Sequence, residues 1–162
     1  MNHRKKYTVL LVIPVLLVVI IFAYIFYRMG TNDAKALADF PIAYQHYDQA
    51  ISDFSKAVLS SNPGTEPNTE HLELLAEEAL ATLKTKASIR ISSLTRHDGD
   101  LMKLFHEITV LAGQELDTLK AYRSAAADKN TDIELLAKQF RELNNQRQAD
   151  YASFQELGGI IK

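Results

Sequence analysis

Hydrophobic positions divide the chain into one unbroken apolar run and a series of amphipathic segments. No residue between positions 7 and 27 is charged. These twenty-one residues would span about 31 Å as a helix, close to the hydrocarbon thickness of a bilayer. Tyr7, Tyr24 and Tyr27 lie near its ends, where aromatic rings prefer the headgroup region. We therefore predict a transmembrane helix over 7–27, with Pro14 causing at most a local kink.

The charges that flank this run predict its orientation. Arg4, Lys5 and Lys6 precede it, whereas acidic residues soon follow Arg28 on the other side. The positive-inside rule places the basic N-terminus, residues 1–6, in the cytoplasm. A cleaved signal peptide is the alternative, but its apolar region would be roughly 7–15 residues long and followed closely by small residues. The run here is longer and ends in bulky residues, so we predict an uncleaved signal anchor.

Beyond a juxtamembrane linker over 28–38, apolar residues recur in alternating steps of three and four. They are Leu37, Phe40, Tyr44, Tyr47, Ile51, Phe54 and Val58. This heptad spacing predicts a helix over 39–60. The helix either begins with Asp39 as its N-cap or continues from the membrane helix with a bend at Pro41.

Three further helical segments follow, at 69–97, 100–127 and 131–157. The turn at 97–100 (His-Asp-Gly-Asp) predicts the end of one helix and the cap of the next, and Thr131 with Glu134 forms a capping box. No segment after the apolar run shows the alternation of a strand. The predicted fold is therefore all-α: an N-terminal transmembrane helix followed by an antiparallel up-down four-helix bundle over 39–162.

Charge and composition narrow the classes of function. Four of the 18 Lys and Arg residues lie in the first 28 positions, which leaves 14 basic against 20 acidic residues in the rest of the chain. Nucleic-acid binding normally needs a basic face, so we expect no nucleic-acid partner. The chain has no cysteine, which excludes disulfides, thiolate metal sites and cysteine nucleophiles.

Motifs for catalysis are missing from the sequence. None of the five histidines follows a glutamate by three positions, as the di-metal centres of helix bundles require. The HExxH, GxSxG and glycine-rich phosphate-loop patterns are also absent. His97, Asp98 and Asp100 could contact a divalent ion, but a helix-capping turn explains them better. We assign no catalytic, cofactor-binding or metal-ligating residue and expect a protein that is not an enzyme.

Charged residues at inward-facing helix positions are the best candidates for a functional site in this sequence. Arg147 and Asp150 occupy inward positions of the fourth segment, and Glu115 lies at the edge of the third seam. They could form a buried polar layer that sets helix register, or a pocket for a ligand or partner. A third arrangement places Tyr151 inward and the charged groups at the rim, with their stems on apolar surface. We expect the rim arrangement, because a buried unpaired charge is costly.

Charge is also segregated along the second segment. Its acidic part holds Glu70, Glu73, Glu77 and Glu78, with Glu66 shortly before it, and its basic part holds Lys84, Lys86, Arg90 and Arg96. This order complements the helix dipole, which favours acids first and bases last. In the functional alternative, the four basic residues face anionic lipid and the acidic part faces a partner.

These features predict a single-pass protein of the cell (inner) membrane of a bacterial envelope, with a periplasmic or extracellular bundle. We expect a non-catalytic scaffold or protein-interaction module, with the bilayer (through 7–27) and another protein as partners. The alternative is a ligand-sensing domain. In general layout the chain is similar to the extracytoplasmic four-helix sensor domains of bacterial chemoreceptors, a likeness of architecture without a shared motif. A sensor of this kind would signal through a separate partner protein.

Overall fold

The structure, a computed structural model, describes residues 3–60, 69–88, 96–126 and 132–160. Side chains are described for 17–27, 35, 37–60, 69–88, 99–126 and 132–157. The helices are α1 (His3–Leu59), α2 (Glu70–Ala87), α3 (Arg96–Ala126) and α4 (Ile133–Ile160). Strands are absent from these described ranges, so the all-α prediction is confirmed.

Contacts between α1 and α3 show that these two helices run in the same direction. The rings of Phe40 and Phe105 lie 4.1 Å apart between centroids. Seven residues further along each helix, the Tyr47 hydroxyl donates a hydrogen bond to the Ala112 carbonyl at 2.6 Å. Residue numbers therefore rise together along α1 and α3.

The other two helices run in the opposite direction. Phe40 meets Phe154 of α4 at 5.2 Å, and one turn later Tyr44 stacks on Tyr151 at 3.5 Å. As the numbers rise along α1, they fall along α4. Near its C-terminus α2 pairs with Asp39 of α1, and its first turns pair with late residues of α3. The described helices thus form an antiparallel helical bundle.

The core follows the heptad seam of α1. Phe40, Tyr44, Tyr47, Ile51, Phe54 and Val58 are each at most 4% exposed. The facing helices bury Leu80 and Leu83 from α2, Phe105, Ile108 and Leu119 from α3, and Phe140 and Phe154 from α4. Helical periodicity alone therefore identified the residues of α1 that hold the bundle together.

The first helix begins earlier than a cap at Asp39 would place it. Residues 28–38, predicted as a linker, continue α1 without a break, as the alternative of a continuing helix required. Pro41 removes one backbone hydrogen bond. The helix persists because the buried rings of Phe40 and Tyr44 are packed on either side of it, and tertiary packing contributes more to helix stability than local preference does.

The predicted boundary between the second and third helices was wrong. The second helix ends at Ala87 rather than near 97. The Ser88 hydroxyl donates to the Thr85 carbonyl at 2.8 Å, and Lys84 and Lys86 place positive charge beside the last carbonyls. The third helix already begins at Arg96, so 97–100 forms its first turn instead of preceding it. Asp98 and Asp100 suit a first turn as well as a preceding cap, since negative charge is favourable near the N-terminus of a helix.

The fourth helix differs from its prediction at both ends. Among the described residues, Asp132 caps this helix, because its Oδ1 accepts a hydrogen bond from the backbone N–H of Leu135 at 3.1 Å. Thr131 lies outside the described residues. At the other end α4 continues to Ile160, past the predicted end at 157.

Among the described residues, no helix combines the length and the apolarity needed to cross a bilayer. The side chains of 7–16, the first part of the predicted membrane segment, lie outside those that the structure describes.

The N-terminal part of α1 projects beyond the bundle. Counting back from the contact between Phe40 and Phe105, the start of α3 at Arg96 lies level with about residue 31 of α1. The helix therefore extends roughly 40 Å further at 1.5 Å per residue. Within this extension the large apolar side chains of 17–27 are 44–73% exposed. We call the end of the bundle from which α1 projects the anchor end, and the opposite end the distal end.

Replacing Phe54 by alanine should lower the free energy of unfolding by about 3–5 kcal/mol, because its fully buried ring would leave a cavity. The matched control is Ile42→Ala on the same helix, since Ile42 is 54% exposed; we expect a change within about 0.5 kcal/mol. Denaturant unfolding of the full chain in non-ionic detergent, followed by circular dichroism, measures both. Equal losses at the two positions would contradict the assigned core.

Candidate functional site

A layer of charged and aromatic side chains crosses the bundle between α1, α3 and α4. Arg147 of α4, Glu115 of α3 and Tyr47 of α1 are each 0% exposed. The layer also includes Tyr44, Asp48 and Asn144, and we refer to these six residues as the charged layer. Heptad spacing directs Tyr44, Tyr47 and Arg147 toward the same interior.

The guanidinium of Arg147 is the centre of this layer. Its Nε donates to Glu115 Oε2 at 2.7 Å, and its Nη2 donates to Asp48 Oδ1 at 2.8 Å and to Asn144 Oδ1 at 2.9 Å. These short contacts are charge-assisted hydrogen bonds, which are stronger than neutral ones. One side chain of α4 therefore binds both other helices of the layer.

Two tyrosine rings complete the surroundings of Arg147. The guanidinium carbon lies 5.0 Å from the ring centroid of Tyr44 and 5.2 Å from that of Tyr47. At this range the negative face of an aromatic ring attracts a cation. The rings also exclude water, so the ion pairs of Arg147 lie in a medium where charges interact strongly.

The electrostatics of the layer follow from burial. Burial raises the pKa of Glu115 to about 7, and the attraction of Arg147 only partly opposes this effect. Burial and the nearby Glu115 carboxyl also hold the pKa of Tyr47 well above its usual range, so its hydroxyl stays protonated. For Arg147, burial lowers the pKa, but the attraction of Glu115 and the other acceptors outweighs it and the pKa is raised. Arg147 is therefore the permanent cation of the site.

The structure corrects the expected rim position of Arg147. The sequence pattern of α4 presented Arg147 and Tyr151 as competitors for the interior, whereas the structure places both inward. Tyr151 stacks on Tyr44 at 3.5 Å, and Arg147 lies one turn away over the same ring. Burial is possible because the carboxyl groups of Glu115 on α3 and Asp48 on α1 accept hydrogen bonds from the guanidinium.

Asp150 does not join the charged layer, although its heptad position is equivalent. Its Oδ1 accepts a hydrogen bond from Gln146 on the same helix at 2.9 Å, and its side chain is partly exposed. Asp48, which sequence reasoning missed, provides the second carboxylate instead. Its position directly after the seam residue Tyr47 was the available signal, because a residue beside a heptad position borders the core.

The segregated charges of α2 pair with the neighbouring helices. In its basic part, Lys86 donates to Asp39 of α1 at 2.9 Å. In its acidic part, Glu73 pairs with Lys120 of α3 at 3.3 Å and also with Arg123, and Glu77 pairs with Lys120. These interhelical pairs explain much of the charge pattern without an external partner.

The other three basic residues considered for lipid contact, Lys84, Arg90 and Arg96, take no part in these ion pairs among the described side chains. Lys84 is exposed on α2. Arg90 lies outside the described residues. Arg96 begins α3, and its side chain is outside those described.

The described residues contain no group of three or more His, Cys, Asp or Glu side chains that could hold a metal ion. The side chains of His97 and Asp98, two members of the acidic turn considered from sequence, lie outside those described.

Comparison of the chain with protein-family models, with curated proteins and with solved structures finds no match.

Replacing Arg147 by methionine should lower the free energy of unfolding by about 3–5 kcal/mol, because two carboxylates lose their cation. The loss should grow as the pH rises from 5 to 8, since without Arg147 the buried Glu115 is harder to ionise. A second substitution, Glu115→Gln, should recover part of the loss at pH 8. Denaturant unfolding of the full chain in non-ionic detergent measures these differences.

The control for this substitution is Arg141→Met, an exposed arginine two turns earlier on α4. Its effect should stay within about 0.5 kcal/mol at both pH values. If Arg147→Met changed stability no more than this control, the buried ion pairs would contribute nothing measurable.

Proposed function

We propose that the protein is a single-pass membrane protein that holds a non-catalytic helical interaction module outside the cytoplasm. The observation that carries this proposal is the exposure of residues 17–27 on the helix that also supplies the core seam of the bundle. Ten large apolar or aromatic side chains lie in this stretch, each 44–73% exposed.

Exposed apolar surface of this kind needs an apolar environment. Eleven consecutive residues make three helical turns, so the exposed side chains cover every face of the helix. Burying one such side chain fully contributes about 1.5–3 kcal/mol. A helix that is apolar all round is typical of a protein interior or a bilayer. The bilayer is favoured here because the uncharged run continues back to residue 7 in the sequence.

The orientation of the proposed anchor follows from its flanking charges. Arg4, Lys5 and Lys6 favour a cytoplasmic N-terminus. Since α1 continues from the apolar stretch into the bundle, the bundle would then lie on the opposite side of the membrane. The 13 residues from Tyr27 to Phe40 correspond to about 20 Å of helix, so the core would begin close to the bilayer surface.

The distal end of the bundle is the part that we propose to meet another protein. Leu74 and Leu75 lie in the first turns of α2, and Leu135 lies in the first turn of α4. Their side chains are 58%, 41% and 51% exposed. Apolar side chains on helix surfaces are common anchors for partner proteins. Their position away from the proposed membrane makes them accessible to such a partner.

A reporter that is active only outside the cytoplasm should be active when fused after Lys162, because the proposed anchor exports the bundle. The same reporter fused after Lys6 should be inactive. N-terminal sequencing of the mature protein in the membrane fraction should recover the basic N-terminus. A soluble product beginning near residue 39, or activity of the C-terminal fusion only in the cytoplasm, would exclude the anchor.

A photoreactive amino acid at Leu74 or Leu135 should form a discrete crosslinked product in native membranes, because both side chains lie on the proposed partner-binding end. The control position is Thr82, which is exposed on α2 but lies two turns nearer the anchor end. Crosslinks at Thr82 alone, or at none of the three positions, would contradict a partner at the distal end.

A further inference from the structure

The charged layer contains more negative than positive groups. One guanidinium, that of Arg147, faces two carboxyl groups, those of Glu115 and Asp48. If both carboxyl groups were ionised, the layer would carry one more negative than positive charge. Because the burial of uncompensated charge is costly, one of the two acids is expected to carry a proton.

Solvent exposure distinguishes the two acids. The Asp48 side chain is 44% exposed, whereas the Glu115 side chain is 0% exposed. Water can stabilise the charge on Asp48 directly, and Arg147 adds a hydrogen bond to it at 2.8 Å. Of the two carboxyl groups, burial therefore disfavours the ionised form of Glu115 more strongly.

Glu115 receives few hydrogen bonds for an ionised carboxylate. Tyr47 has a single hydroxyl hydrogen, which it can donate to the Ala112 carbonyl at 2.6 Å or to Glu115 Oε2 at 3.2 Å, and the shorter distance favours the carbonyl. Glu115 Oε1 is buried and has no hydrogen-bond partner among the described residues. An ionised carboxylate normally receives several hydrogen bonds, and here Arg147 Nε supplies the principal one.

We propose that Glu115 is a proton-binding site in the bundle core and that loss of its proton weakens the packing of α4 against α1 and α3. The ligand is the proton itself, and the two states differ by the charge on one carboxyl group. This inference rests on the bundle alone and is independent of the proposed membrane anchor and partner.

The groups that face Glu115 come from several helices. Tyr44, Tyr47 and Asp48 approach from α1, and Arg147 approaches from α4. Burial raises the pKa of both tyrosines above the usual value, so neither supplies a charge near neutral pH. On α2, the exposed Lys84 lies beside Gly113, two residues before Glu115. The balance of charge within the layer is therefore decided by Asp48, Glu115 and Arg147.

The direction of the pH effect follows from linkage. Burial raises the pKa of Glu115 from 4.5 to about 7 in the folded protein. Between these values the folded chain holds a proton that the unfolded chain has lost. The stabilisation is complete below pH 4.5 and is lost as the pH rises through the folded value near 7. Tyr47 of α1 contacts Glu115, and α1 is the helix that extends beyond the bundle.

Thermal unfolding of the full chain in non-ionic detergent, measured from pH 5 to 8.5, tests the proposal. Glu115→Gln imitates the protonated acid, so it should have little effect at pH 5 and should raise Tm by about 5–10 °C at pH 8.5. The matched control is Glu142→Gln on the surface of α4, which should follow the wild type at every pH. A Glu115→Gln variant that fails to fold, or that is less stable than the wild type at pH 8.5, would overturn the proposal.

A second variant tests the contribution of Asp48. In Asp48→Asn, Arg147 retains only Glu115 as a carboxylate and the repulsion between the two carboxyl groups is lost, so the pKa of Glu115 should fall, although burial still raises it. Adding Glu115→Gln to this background should raise Tm at pH 8.5 by less than it does in the wild type. If Glu115→Gln raised Tm equally in both backgrounds, Asp48 would not contribute to the protonation of Glu115 and the proposal would fail. Should Asp48→Asn not fold, the comparison of Glu115→Gln with the wild type decides alone.

Discussion

A guanidinium group remains in a helical core only where carboxylates meet it, and this requirement ties three of the described helices together. Arg147 comes from α4, Glu115 from α3 and Asp48 from α1, with N–O distances of 2.7 and 2.8 Å. A shift of α4 by one turn would separate these groups and leave charges unpaired. The ion pairs therefore select one register among those that a uniformly apolar seam would permit, as single polar residues do in coiled coils.

The charged layer also connects the bundle core to the part of α1 outside it. Tyr47 and Asp48 lie on the same uninterrupted helix as the exposed apolar stretch 17–27. If residues 7–27 cross a membrane, as we propose, the charged layer and the membrane-spanning segment share one continuous helix.

Elsewhere in the bundle, charged side chains form ion pairs between neighbouring helices. The acidic first turns of α2 pair with Lys120 and Arg123 of α3, and Lys86 near its end pairs with Asp39 of α1. The same order of charge also suits the dipole of α2. Unlike the fully buried pair of Arg147 and Glu115, these ion pairs are partly exposed. Partly exposed ion pairs contribute less to stability but disfavour wrong neighbours.

The sequence by itself determined the features that depend on local periodicity and composition. The alternating steps of three and four identified the buried face of α1 from Phe40 to Val58, because a helix presents such positions on one side whatever it packs against. The predicted ends of the helices were less accurate than the predicted core. The second helix ends at Ala87, where the Ser88 hydroxyl binds a backbone carbonyl of the last turn, and periodicity does not reveal such local hydrogen bonds.

Only the tertiary structure decided which charges are buried. Arg147 and Asp150 share the same heptad spacing on α4, yet one is 0% exposed and the other is bonded to Gln146 on the surface. The difference arises from Glu115 and Asp48, which lie 32 and 99 positions from Arg147 in the sequence. Periodicity describes which way a residue points, whereas the cost of burying its charge depends on what meets it there, and that partner belongs to another helix.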